Sequence, residues 1–488
     1  MTLSPAYLDL EPAAVWQHFG ALNQIPRPSG QEGQAREYIQ SLSSQRGASF
    51  ETDARGNSVV RVAARGAAQN APIVTLQSHL DMVCQKRPDV DFDFQTDAIL
   101  PRREGDKIYA SGTTLGADNG LGVALMLAIL TGENLIHGPL ELLFTVEEET
   151  GLYGAAQLDA ALVRGRLMVN LDSEDPDEIT IGCAGGATTT LRLPIERAQS
   201  EDGEIAMKVE VSGLQGGHSG VEIGRKLANS LKILSQILDV VAQKCPQMRL
   251  ISLQGGTAHN AIPRDASALL CLAAREIGPF DAAFEQVRRE IEAAWRGDEA
   301  GLRLTRGNAL PSAPLSRAVS EGVLRLLREL PHGVAQMSAR FAGKVQTSSN
   351  LAEIHTHPNE IEFSVSNRSF LEAEIRALQT QIAELGAATG ASVEARDGYP
   401  GWEPRADSPL LETTKRAYQS AMGRAPKIEV VHAGLECGLL SQALPGLDAV
   451  SFGPLIKGAH TPEEWISISS VREITAVLTG VLAELAHP

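Results

Sequence analysis

Short apolar runs alternate with helix-length stretches from Pro72 to about Gly186, and the same texture returns near the C-terminus. Ile73–Ser78, Leu140–Val146 and Leu167–Leu171 are the runs, and Asn119–Gly132 is a helical stretch between them. Strands that are apolar along nearly their whole length are buried on both faces. The alternation therefore specifies an α/β fold with a mostly parallel sheet flanked by helices. Ile428–Gly434 and Asp448–Pro454 resume the pattern.

Between them, from about Ala187 to Asp397, the rhythm differs. Strand patterns at 204–211, 248–255 and 266–273, with helical periodicity over 221–241 and 283–295, read as β-α-β-β-α. A looser copy follows: a strand at 302–307, a helix near 316–330, strands around 344–349 and 360–366, a helix at 371–386 and a strand at 391–396. Tandem units of this kind predict one inserted α+β domain built by duplication. The expected organisation is a discontinuous first domain, 1–186 and 398–488, interrupted by an insert, 187–397. A chain of 488 residues is long enough for both.

The charge balance excludes some partners. Lys and Arg number 43 and Asp and Glu 60, a net charge of −17, which argues against nucleic acid or an anionic membrane as a partner. No stretch approaches the roughly 20 apolar residues of a membrane span. Met1–Pro12 has neither the basic nor the apolar region of a secretion signal, so a cytoplasmic location is expected. The five cysteines, Cys84, Cys183, Cys245, Cys271 and Cys437, are scattered without a CxxC pair and read as reduced, mostly buried thiols.

Five segments end apolar runs with metal-binding side chains: 79-HLD-81, 116-GADNG-120, 147-EEETG-151, 170-NLD-172 and 458-GAH-460. Each has an ordinary reading. His79 and Asp81 could close a strand in solvent, Asp118 could cap the helix that follows, the three glutamates could be a charged loop, and a lone His460 is usually structural. Their coincidence favours metal. Asp81 is spaced to orient His79 through its second ring nitrogen, and a short Asp118 at a helix entrance can bridge two ions. Neighbours on extended chain point oppositely, so Glu148 reads as a general base and Glu149 as a ligand. Two divalent cations would balance Asp118, Glu149, Asp172 and one hydroxide, and a neutral cluster can be buried.

The motifs H-L-D, G-A-D-N-G, E-E-x-G, 170-NLDSED-175 with 182-GCAGG-186, and G-A-H-T-P resemble the co-catalytic zinc peptidase family of aminoacylases, carboxypeptidases and carnosinases. The likeness runs over nearly the whole chain, and 170-NLDSED-175 and 432-HAGLECG-438 match its dipeptidase branch. Glu147 departs from the pattern, which has aspartate there. The resemblance implies a di-zinc exopeptidase domain with an inserted lid of duplicated β-α-β-β-α units. It implies that His79, Asp118, Glu149, Asp172 and His460 bind two divalent ions, Asp118 bridging, with zinc expected and cobalt or manganese also suited to such ligands. Asp81 and Glu148 would be the catalytic pair, and the Asp118–Asn119 peptide would be cis.

In the insert, glycine-flanked His218 would reach the scissile carbonyl oxygen when the domains close, although alone it reads as a flexible turn. Asn260 and Arg264 resemble a substrate-facing loop, and Arg368 matches the arginine that holds a terminal carboxylate. Glu436 suits a free ammonium. These features imply a dipeptidase, with Xaa-His preference resting on the resemblance alone. An N-acyl deacylase or carboxypeptidase is the alternative, and a non-catalytic binding protein on the same fold a second. Relatives commonly pair through the insert, which leaves a homodimer open.

Overall fold

The computed structural model describes residues 4–68, 70–396, 398–405 and 407–487; the expected insert boundary at Asp397 lies outside them. The chain divides into two compact units. One comprises Met1–Cys183, Trp402–Val430 and Leu435–Pro488; the other comprises Ala184–Gly401 and the short return Val431–Gly434.

The first unit is organised by an eight-stranded sheet. At its centre Leu140–Thr145, Val74–His79, Leu167–Asn170 and Asp448–Ser451 run parallel as neighbours. Ser49–Thr52 and Ser58–Val62 add antiparallel strands at one edge, and Glu178–Cys183 pairs antiparallel with Asp448–Ser451. Every residue of Val74–His79 and Leu140–Thr145 is buried, because helices cover both faces. The helix Ala117–Thr131 is likewise buried nearly all round, which explains why its sequence is apolar without a polar stripe. It approaches the sheet closely. A Cβ at Gly122 would stand 2.2 Å from Asn119 Oδ1 and 2.4 Å from Ser78 Oγ, so only glycine fits.

The second unit carries a nine-stranded sheet whose pairings are antiparallel. Its two halves share one plan. In the first, Glu204–Ser212, helix Ser230–Lys244, Arg249–Gly255, Ala266–Ala273, helix Ile277–Trp295 and Arg303–Asn308 follow in sequence. Their order across the sheet is fourth, first, third, second strand. In the other half Gly185–Pro194, helix Arg317–Glu329, Val345–Thr356, Glu360–Ser369, helix Glu372–Thr389 and Ser392–Ala395 repeat that order in reverse.

Two expectations change here. The strand expected at 302–307 to open the second copy instead pairs with Glu204–Ser212 and closes the first. The second copy opens with Gly185–Pro194, so one half is threaded into the other. The helix expected from 221 begins only at Ser230, because the Asn229 side chain accepts the N–H groups of Leu231 and Lys232 and caps it there. The residues before it are spent on the loop after His218.

Leu191, Val209, Leu270 and Phe363 of the sheet pack with Ile237, Phe284, Leu326 and Ile382 of the helices in one core. The alternating positions of Gly185–Pro194 and Glu360–Ser369, such as Thr190, Arg192, Glu362 and Ser364, are polar, whereas Ala206, Ile251, Leu269 and Cys271 make a separate small apolar cluster. All five cysteines are free. Among the described residues, no helix is long and apolar enough to cross a membrane.

Candidate active site

The parallel strands deliver their charged residues to one end of the sheet, since ligands in such folds gather at the carboxyl ends of strands. His79 is the last residue of its strand and 1% exposed. Its Nε2 lies 3.1 Å from Asp118 Oδ1 and 3.4 Å from Asp172 Oδ1. His460 Nε2 lies 3.2 Å from Asp118 Oδ2 and 3.0 Å from Glu149 Oε2. The two oxygens of Asp118 thus face different histidines. Donor atoms of His79, Asp118 and Asp172 fall within 4.8 Å of one another, as do those of Asp118, Glu149 and His460, and those of His79, Glu148 and Glu149. Glu149 Oε1 is buried without a hydrogen-bond partner. Two groups sharing one carboxylate, mixed imidazole and carboxylate donors and an unsatisfied buried oxygen fit divalent cations.

Electrostatics agree with that fit. Hydrogen bonds with Asp118 and Glu149 push His460 up to about 11. Burial works against charge on His79, but Asp172 and Asp118 overcome it and raise its pKa. Burial likewise opposes ionised Asp118, and the two histidines hold it below the carboxylate range. Burial lifts Asp172 to about 6 and raises Glu148 well above an ordinary glutamate. Cations would compete for the same carboxylate lone pairs and require the imidazoles neutral.

The three successive glutamates are sorted by the backbone. Glu147, at φ 50°, turns away to pair with Arg55, and its N–H donates to Glu32 Oε1 at 3.0 Å. The N–H groups of Glu148 and Glu149 donate to the two oxygens of Asp81, each at 3.1 Å, and Ser29 Oγ donates to Asp81 at 2.7 Å. Asp81 Oδ1 is also 3.4 Å from His79 Nδ1. One buried carboxylate therefore links His79 to the loop carrying Glu148 and Glu149. The Asp118–Asn119 peptide is cis, and the Asn119 side chain donates to Leu171 O at 2.9 Å and to Asp172.

Two buried ions hold this frame and were not read from the sequence. Glu464, 2% exposed, accepts the N–H groups of Leu115, Gly116, Ala117 and Asp118 at 2.7 to 3.2 Å. Arg27, 3% exposed, donates to the carbonyls of Leu80 and Asp81 at 2.9 and 3.0 Å and to Gly116 O at 2.5 Å. Together they tie the segment of His79 to the segment of Asp118. In sequence Glu464 looks like a surface acid beside Glu463, and Arg27 sits between two prolines, so neither carried a signal. Glu174, raised to about 7 by burial and by Asp118 and Asp172, is a further acid beside the cluster. Glu436 is 1% exposed. Its Oε2 accepts from Gln77 and Thr145 at 2.7 Å each, while Oε1 is buried without a partner, and burial raises the group to about 7.

The second unit holds a different cluster. Arg368, 6% exposed, donates from Nη1 to Tyr399 Oη at 2.5 Å, and its Nε is buried without a partner. His432 Nε2 lies 2.8 Å from Ser348 Oγ, and Phe370 meets its ring edge-on. Burial, reinforced by Arg368 and His218, lowers His432 to about 4; burial and Arg368 also lower His218. His432, Ser348 and Tyr399 had no assigned role in the sequence reading. Asn260 is exposed beside His218, its carbonyl accepting Ser219 N–H at 2.8 Å. Arg264 is exposed, packs its stem over Gly216 and donates from Nε to Leu214 O at 3.0 Å, on the segment leading into His218. Arg368 and Tyr399 also line a cavity of about 450 Å³ with Thr188, Thr190, Ser364 and Ser366.

Comparison with known proteins supplies the context. The model of Peptidase family M20/M25/M40 matches residues 75–484. The chain is 38% identical over 477 residues to the cytosol non-specific dipeptidase of Escherichia coli (strain K12), covering 98% of each. It resembles the crystal structure of aminoacylhistidine dipeptidase from Vibrio alginolyticus with a TM-score of 0.93 and 34% identity, covering 98% of both chains. An aminopeptidase PepT structure from Bacillus cereus, at 16% identity and a TM-score of 0.58 over 98% of this chain and 99% of that one, shares the fold.

Proposed function

We propose, from the premise that this chain belongs to peptidase family M20/M25/M40, that it is a metal-dependent dipeptidase acting on dipeptides with free termini, those with histidine second included. The observation that carries the reading is Asp118, whose two oxygens face His79 and His460 separately within two sets of donors. His79, Asp118 and Asp172 would hold one ion and Asp118, Glu149 and His460 the other. Zinc is the cation proposed, with cobalt or manganese able to replace it. When bound, such ions acidify a water to a pKa of about 7 and stabilise charge on a carbonyl oxygen.

The chain's own groups do the rest. Glu148 takes the proton of the attacking water at its carboxylate and returns it to the leaving amine; a raised pKa suits a group that must do both near neutral pH. Asp81 orients His79 and fixes the backbone of Glu148. Glu436, with one oxygen tied and one free, would receive the substrate ammonium. Arg368 would hold the terminal carboxylate, and His218 would donate to the oxyanion. Asn260 and Arg264 are proposed to border the substrate from the loop beside His218.

The test compares a free dipeptide with its N-acetyl and C-amide derivatives. Blocking either end is expected to remove most of kcat/KM. An N-acetyl amino acid cleaved as fast as the free dipeptide would replace this reading with a deacylase.

A further inference from the structure

The loop carrying His218 is fastened independently of the imidazole. Gly217 and His218 pair with Ala261 and Ile262. The N–H groups of Gln215 and Ala228 donate to the two oxygens of buried Glu299 at 2.8 and 2.9 Å, and His218 N–H donates to Glu222 Oε2 at 2.9 Å. Within that frame the backbone turns back over the ring. Gly220 N–H and Val221 N–H both donate to His218 Nδ1, at 3.2 and 3.1 Å. A backbone N–H cannot accept, so Nδ1 must offer its lone pair, and the proton of a neutral ring then resides on Nε2. Gly220 makes this turn possible, since a Cβ there would stand 2.9 Å from His218 Cε1 and 2.3 Å from His432 O.

From this geometry we infer that His218 is a neutral imidazole locked by the backbone in its Nε2–H tautomer, donating a hydrogen bond to the developing oxyanion without ever transferring a proton. The inference rests on the reading above that His218 faces the scissile carbonyl. Protonating Nδ1 would break both backbone hydrogen bonds and set its new N–H against two others. It would also add a charge beside Arg368, which together with burial disfavours it. His432 adds no negative charge, and the Glu222 carboxylate is already occupied by His218 N–H and Arg225. A neutral imidazole is a poor acid, so it polarises the carbonyl and leaves its proton in place. The leaving amine must then be protonated by Glu148.

Long-range proton–nitrogen NMR on the full-length enzyme labelled at its histidines tests this directly, with the His218 signals assigned by their loss in His218→Gln. A bare Nδ1 and a protonated Nε2 throughout the neutral range are expected. A proton on Nδ1, or an imidazolium, overturns the proposal. Kinetics give a second check, because a glutamine amide can reach the Nε2 position whereas asparagine reaches only Nδ1. His218→Gln should retain about tenfold more kcat than His218→Asn; equal loss in both overturns the donor assignment. The NMR readout needs no substrate. A locked Nε2–H tautomer together with unchanged kcat in His218→Gln and His218→Asn would sink the oxyanion role alone.

Discussion

His460 in the first unit and His432 in the second are the same side chain under opposite pressure. Asp118 and Glu149 lift His460 to about 11, while burial beside Arg368 and His218 lowers His432 to about 4. One cluster has an excess of carboxylate and calls for cations; the other has an excess of imidazole and guanidinium and calls for an anion. Burial differs between them: His432 is buried, whereas about half of the His460 side chain is exposed, at 52%. Hydrogen bonds to carboxylates decide the direction for His460; for His432 burial decides it, and the neighbouring positive groups push the same way.

Four changes would break or sharpen that contrast. The largest effect is expected from Glu148→Gln, which should lower kcat by about a hundredfold to ten-thousandfold with both metal equivalents retained, read by steady-state kinetics beside metal analysis. Arg368→Lys keeps the charge of the second cluster but removes its planar fork, so kcat/KM for dipeptides should fall by about ten- to a hundredfold. Most of that should appear in KM. Glu464 meets Asp118 only through its backbone N–H, so Glu464→Gln changes no proposed ligand side chain yet loses acceptors for the Asp118 loop, and metal affinity should weaken by about ten- to a hundredfold, measured by calorimetry on stripped protein.

The smallest effect concerns pH. His432 has its folded pKa lowered from 6.5 to about 4, so below 6.5 the unfolded chain takes a proton that the folded chain refuses. Its contribution is intact above 6.5 and is lost as pH falls toward 4, by at most about 3 kcal/mol. Thermal melts of His432→Gln should lose less stability between neutral and acid pH than the parent does.

The strand ends that gather into the cluster of acids and imidazoles are visible in the sequence because apolar runs that stop at charged residues leave an edge. His79, Asp118, Glu149, Asp172 and His460 all end or follow such runs. The insert is legible as a repeat but the second copy's first strand is not, since Gly185–Pro194 lies before the first copy and periodicity cannot reveal threading. Arg27 and Glu464 stayed hidden for another reason. Their partners are backbone carbonyls and N–H groups contributed by segments far along the chain, and no residue pattern marks a backbone group as unsatisfied. His432 lies within 432-HAGLECG-438, but its environment is set by Arg368 and Ser348, distant in sequence, so the motif gives it no visible role.

Metal titration of the stripped enzyme tests the proposed two-ion site most directly. Dipeptide hydrolysis should vanish on chelation and return with two equivalents of zinc, with His460→Ala losing one of the two bound equivalents. Hydrolysis that survives complete removal of metal, or that returns fully with a single equivalent, would contradict it.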